Sequence, residues 1–202
     1  MKLYYSPTSP FARKVRVAIL ELELQDQVDL ILINPWADPE LRKLNPLCKV
    51  PTLVLNHKEV LFESVLICEY LNSLREKKSL YPIERVHYFK DMRLQALADG
   101  AMAAIGRLYA EYQKPEQEQS LKMIQRFIET RQSSLNWLAK HLEDFAEGIT
   151  IGAIAIACFL DYISFRFPND IWKNEFSDLY QWFEKMQQRD SMQQTVYQNL
   201  AL

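Results

Sequence analysis

The chain of 202 residues carries 24 Lys and Arg against 26 Asp and Glu, a formal charge of −2, so its surface is not built to neutralise a phosphate backbone and nucleic acid is a poor partner. With 49% hydrophobic and 25% charged residues it has the composition of a folded globular protein, long enough for one large domain or two small ones. No window reaches the apolar length of a membrane span and Met1–Pro7 opens no signal-peptide run, so the expectation is a cytoplasmic protein without a membrane partner.

The first eighty or so residues alternate short β-type runs with helical stretches, the pattern of an α/β unit. Lys2–Tyr5 reads as a strand. Ser9 then precedes Val15, Ala18, Ile19 and Leu22 at helical spacing, which predicts a helix from Pro10 to Glu23 with Ser9 as its N-cap. Val28–Ile33 reads as a second strand, followed by an irregular loop through Pro35 and Pro39. Thr52–Leu55 and Glu59–Phe62 flank a hairpin connection, and Ser64 to Leu74 reads as a helix. The order is βαβ, loop, ββα.

From Ile83 onward strand signals nearly vanish. Arg85–Tyr112, Glu116–Glu143, Ile151–Phe165 and Phe176–Gln188 carry apolar residues at helical spacing, broken by Pro115, Gly148 and Pro168. The expected fold class is therefore α/β plus all-α, with residues 1–78 in one domain and 84–202 in a helical one, joined across Lys77–Pro82. Cys48, Cys68 and Cys158 are too scattered for a disulfide framework or a dithiol centre, and His57, His87 and His141 do not cluster at ligand spacing, so no metal is implied.

Three places in the first half offer chemistry. At Ser6–Arg13 a strand ends and a helix begins with a serine, which sets a hydroxyl and free N–H groups at the positive end of a helix dipole; Ser9 is either a plain cap or part of an anion site. In Asn45–Pro51 a proline opens a strand after a turn, and a cis Val50–Pro51 bond would expose the Val50 backbone to a peptide. At Phe62–Ser64 a strand again runs into a helix: Glu63 offers a carboxylate to an ammonium group, and Ser64 with the first helical N–H groups can receive a carboxylate, unless the pair only caps.

The stretches SPTSPFARKVRVAIL, NPLCKVPTLV and FESVLICEYL resemble the serine-type glutathione S-transferases, in particular a small bacterial branch similar to the tau and zeta classes. The helical stretches ALADGAMAAIGRLYAEY and ITIGAIAIACFLDYISFRFP are similar to that branch as well, so the resemblance covers nearly the whole chain. It implies a thioredoxin-like βαβαββα domain followed by a helical bundle, with glutathione as co-substrate, a small-molecule electrophile, and a homodimer.

The resemblance places the thiolate donor at Ser9, with Thr8 as the alternative, the cysteinyl contact at Val50 beside Lys49, and the γ-glutamyl contacts at Glu63 and Ser64. For the electrophile, Met102, Ile105, Tyr109 and Tyr112 lie on one helical stretch and are candidates for an apolar pocket, with core packing as the competing role; Phe159, Tyr162 and Phe165 are assigned to the core. Two departures are visible. Thr150 is followed by Ala153 where relatives carry an acid, so a reciprocal cap is missing, and Pro-Thr-Ser replaces the zeta-class Ser-Ser-Cys, which weakens a maleylacetoacetate isomerase role. The activity implied is thiolate attack on an electrophile; the competing readings are a non-catalytic partner-binding protein of the stringent starvation type and a glutathione-dependent thiol reductase or peroxidase.

Overall fold

The computed structural model describes residues 1–76 and 78–199; Lys77, in the expected junction, and residues 200–202 lie outside the described residues. The chain forms two compact units, Met1–Tyr81 with the chain from Arg189, and Pro82–Gln188. The sequence pattern places residues 84–202 in the helical domain; in the structure the described residues from Arg189 to Asn199 group with the first unit.

In the first unit, β1 (Lys2–Tyr5) leads into α1 (Pro10–Glu21), β2 (Asp29–Leu32), α2 (Pro39–Leu44), β3 (Thr52–Val54), β4 (Val60–Phe62) and α3 (Ser64–Ser73). The sheet order is β2-β1-β3-β4. β1 pairs in parallel with β2 and antiparallel with β3, and β3 pairs antiparallel with β4. Helices α1 and α3 pack together, and Leu3, Val15, Ala18, Leu22, Leu53, Ile67 and Leu71 are buried. The first helix begins as its sequence dictates, with Ser9 at the N-cap and Pro10 at the first helical position, where the missing N–H costs no bond. Helix α2 was hidden in the proline-broken loop: its Pro39 also occupies the first position, and Asp38 caps it by accepting from the Glu40 N–H at 2.8 Å.

The second unit contains α4 (Arg85–Tyr112), α5 (Leu121–Lys140), α6 (Ile151–Arg166), α7 (Trp172–Glu175) and α8 (Ser177–Gln187). Every residue from Ile151 to Leu160 is buried, so α6 is the central helix and α4 packs along it. Among the described residues no helix is long and apolar enough to cross a membrane. Back in the first unit, α9 (Asp190–Gln193) lies against α1. Arg189 donates to both carboxylate oxygens of Glu21, each at 2.8 Å, and Ser191 Oγ donates to Oε1 at 2.5 Å. Burial pushes the Glu21 carboxyl up, but these bonds and the Arg189 charge outweigh it and hold the group below the usual glutamate value.

The missing acid of the α6 cap is supplied from another helix. Thr150 Oγ1 accepts from the Ala153 N–H at 3.2 Å, as a capping threonine should. The carboxylate comes from Asp91 of α4, which accepts from the Thr150 hydroxyl and from the Gly152 N–H at 3.1 and 3.2 Å. The approach is close enough to require glycine: a Cβ on Gly152 would sit 2.4 Å from Asp91 Oδ1 and 2.8 Å from its backbone oxygen. Asp91 is only 4% exposed, and burial raises its carboxyl above the usual aspartate value against the pull of the two donors.

Asp91→Ala is expected to cost about 2–3 kcal/mol in denaturant unfolding, because it strands the buried Gly152 N–H and the half-buried Thr150 hydroxyl. Asp91→Asn keeps an acceptor and removes the charge. Since the folded-state value is raised, wild-type stability should fall as pH rises from the usual aspartate range through the folded-state value and then level off, and the Asn variant should lack this slope. Parallel pH profiles for the two proteins would contradict the assignment.

Candidate functional site

Three chain segments leave the sheet at one edge. The last common rung on that side is Tyr4, Thr52 and Phe62, paired in register across β1, β3 and β4. β1 and β4 run outward there and β3 runs inward, so Ser6–Ser9, Val50–Pro51 and Glu63–Ser64 follow or precede the same rung. At about 4.8 Å between strands, the three segments begin within roughly 10 Å of one another. The topology thus sets the segments that carry Ser9, Lys49, Val50, Glu63 and Ser64 at the same end of the sheet.

The Ser6–Ser9 loop is tied internally. The Ser9 N–H donates to the Ser6 carbonyl at 3.1 Å, the hydroxyls of Ser6 and Thr8 lie 3.0 Å apart, and Ser6 is buried. Ser9 Oγ accepts from the Ala12 N–H at 3.2 Å and is half-buried. A hydroxyl that accepts in this way still has its own proton to donate, and the bond from the helix N-terminus polarises it toward an anion. Thr8, the alternative donor, already shares a bond with Ser6.

The Val50–Pro51 peptide is cis. Val50 is half-buried and lies outside the sheet ladder, and the Lys49 side chain is exposed. A residue that sequence reasoning passed over, Asn45, shapes this turn: it is 1% exposed, its Nδ2 donates to the Lys49 carbonyl and to Thr52 Oγ1, each at 3.0 Å, and its Oδ1 accepts from the Leu47 N–H at 3.0 Å. Thr52 Oγ1 in turn donates to the Lys49 carbonyl at 2.8 Å. The clue was a lone Asn before a Pro, a turn signal whose partners lie up to seven residues away.

Glu63 does not cap α3. Its backbone has φ 72° and ψ 123°, a left-handed conformation that a side chain adopts only under constraint, and among the described residues its carboxylate makes no capping bond. The carboxylate is exposed while Ser64, the first helical residue, is 3% exposed. The first N–H groups of α3 therefore receive no capping bond from the Glu63 side chain.

The four residues suggested for an electrophile do not share one environment. Met102 and Ile105 are 0% exposed inside the helical unit and pack its core. Tyr109 is half-buried, with the Arg166 guanidinium 4.3 Å from its ring centre, and Tyr112 is exposed, edge-on to Phe167 at 6.1 Å. Tyr112 borders a cleft of about 420 Å³ with Leu108, Ile128, Arg166 and Phe167; neither Met102, Ile105 nor Tyr109 lines it. Phe159 and Tyr162 are buried and Phe165 is half-buried.

The sheet and helices of the first unit have the thioredoxin-like arrangement, and residues 8–74 match the family model of the glutathione S-transferase N-terminal domain. An Escherichia coli K12 protein named uncharacterized GST-like protein YibF is 32% identical over 199 residues, covering 96% of this chain and 98% of its own. A crystal structure of a glutathione transferase family member from Pseudomonas fluorescens Pf-5 with bound glutathione is similar with a TM-score of 0.93 and 30% identity, over 98% of this chain and 99% of that one. A glutathione S-transferase structure from Methylobacillus flagellatus KT with glutathione bound gives a TM-score of 0.91 and 33% identity, over 96% of this chain and 98% of that one. On these likenesses, and on an edge where strand ends and helix starts meet, the chain belongs to the glutathione S-transferase family.

Proposed function

We propose that the protein is a glutathione transferase of the serine type, which binds glutathione as co-substrate at the strand-end edge and activates its thiol for attack on a small electrophile. The observation that carries this reading is the Ser9 hydroxyl: it accepts from the Ala12 N–H at the start of α1 and retains a proton to give. In the binding mode proposed, the Val50 backbone pairs with the cysteinyl part, and the Lys49 ammonium meets a carboxylate of the tripeptide. Glu63 pairs with the γ-glutamyl ammonium, and Ser64 with the α3 N-terminus takes the α-carboxylate. That Glu63 is exposed, and spent on no cap, supports this use. The glutathione-binding domain is assigned to residues 1–78, the helical domain from residue 84 is assigned the electrophile, and Tyr109 and Tyr112 are kept as its candidate contacts.

A free thiol with a pKa of ~8.5 is only a few per cent ionised at pH 7, and each unit of depression needs about 1.4 kcal/mol. A positioned hydroxyl donor together with a helix N-terminus supplies stabilisation of that order. The thiolate then attacks an electrophilic carbon, the C–S bond forms, and the leaving group takes the electron pair. Ser9 keeps its proton throughout and acts as a donor, not as a nucleophile.

Ser9→Ala should lower turnover by about tenfold or more and raise the pKa of the bound thiol toward that of free glutathione, with affinity largely kept. Ultraviolet titration of the thiolate and steady-state kinetics on a panel of electrophiles and peroxides read both. An unchanged thiol pKa would transfer the role to Thr8, and glutathione binding without turnover on any electrophile would favour the partner-binding reading.

Glu63→Gln should raise KM for glutathione several-fold with kcat nearly unchanged, since contacts to the γ-glutamyl end are the same in ground and transition states. A fall in kcat at constant KM would make this carboxylate part of thiol activation.

We further propose a homodimer that pairs the first domain of one copy with the helical domain of the other. Apolar side chains exposed on each unit support it: Leu66 is 49% exposed on α3, and Val86 and Phe89 are 62% and 59% exposed on α4. Sedimentation at micromolar concentration should show the dimer, and Phe89→Glu should shift it toward monomer; a wild-type monomer would refute the pairing.

A further inference from the structure

The segment from Arg189 to Gln198 runs antiparallel along α1, from its last turn to the loop before its first. Its attachments, taken from the last turn of α1 to the loop before it, are these. Arg189 and Ser191 hold Glu21 at the far end. Arg16 Nη2 donates to the Gln194 carbonyl at 3.2 Å. Arg13, 2% exposed, donates to the Met192 carbonyl at 3.2 Å and to Thr195 Oγ1 at 3.5 Å, and its guanidinium lies 4.4 Å from the Tyr197 ring centre. At the near end the Gln198 N–H donates to the Pro7 carbonyl at 3.4 Å. The last of these contacts falls inside the Ser6–Ser9 loop.

We propose that this segment is a strap that positions the Ser6–Ser9 loop, with Arg13, Tyr197 and Gln198 as positioning residues for the Ser9 hydroxyl. The inference rests on the reading of Ser9 as thiolate donor. A donor hydroxyl is effective only when held to about 0.5 Å, and a loop at a helix start needs support from outside its own turn to reach that. The strap supplies it twice, once on the Pro7 carbonyl and once through Arg13, one turn into α1.

Gln198→Pro removes the N–H that meets Pro7 at an exposed position, Gln198→Ala retains it, and Tyr197→Leu removes the ring against Arg13. In hydrogen exchange, the Ser9 and Ala12 amides should open about tenfold faster in Gln198→Pro and Tyr197→Leu, while Gln198→Ala matches wild type. In the same two variants the bound glutathione thiol should titrate closer to free thiol, and kcat should fall with KM held. Wild-type exchange at both amides in Gln198→Pro overturns the strap, whether or not Tyr197→Leu folds. Faster exchange with an unmoved thiol pKa overturns the positioning role. Combining Gln198→Pro with Ser9→Ala should raise the thiol pKa no further than Ser9→Ala alone, and an additive rise overturns action through Ser9. Ser9→Ala with an intact strap should keep slow exchange; if that variant leaves the thiol pKa unchanged, the donor reading fails while the exchange data still decide the strap.

Discussion

The structure depends on one rung of backbone pairing, Tyr4 with Thr52 and Thr52 with Phe62. Because β3 runs against both of its neighbours, that rung forces one strand to enter and two to leave at the same edge. Each departing strand runs into a helix, so two helix N-termini face the same region with a turn between them. The sheet makes these segments neighbours, and a slip of one residue in register would turn alternate side chains to the opposite face.

Three helix starts show how differently the chain treats the same physical problem. The first turn of any helix leaves donors without intrahelical partners. At α1 the donor of Ala12 is met by Ser9, a local solution that leaves a hydroxyl proton over. At α6 the start is buried, and the cap is completed by Asp91 from α4 at the expense of a buried carboxylate and a glycine at 152. At α3 the N-cap Glu63 holds a positive-φ backbone and its side chain makes no capping bond. The three starts thus differ in where the capping acceptor comes from: the same turn at α1, another helix at α6, and no side chain of the N-cap residue at α3.

Much of this was legible in the sequence because it is local. β1 and α4 have the bounds their patterns predict, Lys2–Tyr5 and Arg85–Tyr112. The Ser9 cap was readable for the same reason. Helix α2 was not, because six residues cannot display a helical period and Pro39 looks like a breaker unless it stands at the first position. Met102 and Ile105 have the spacing of a pocket wall and of a core alike, and only the packing of α4 along α6 shows them wholly covered. Asn45 and Asp91 act across the chain, through partners that no local pattern names.

The same distinction governs the charges of α1. Arg13, Arg16 and Glu21 alternate with the apolar positions of an amphipathic helix, and by pattern alone they are its solvated face. Yet Arg13 is 2% and Glu21 7% exposed, because the chain from Arg189 covers that face. Charged groups so placed must be met by partners, and the covering segment brings them: a bidentate arginine and a hydroxyl for Glu21, a carbonyl, a hydroxyl and an aromatic ring for Arg13. An apolar stripe would have accepted the segment in several registers, whereas paired charges at two points along α1 admit one. Register is the quantity that matters here, because a slip would carry Gln198 away from Pro7 and remove that contact from the loop that bears Ser9.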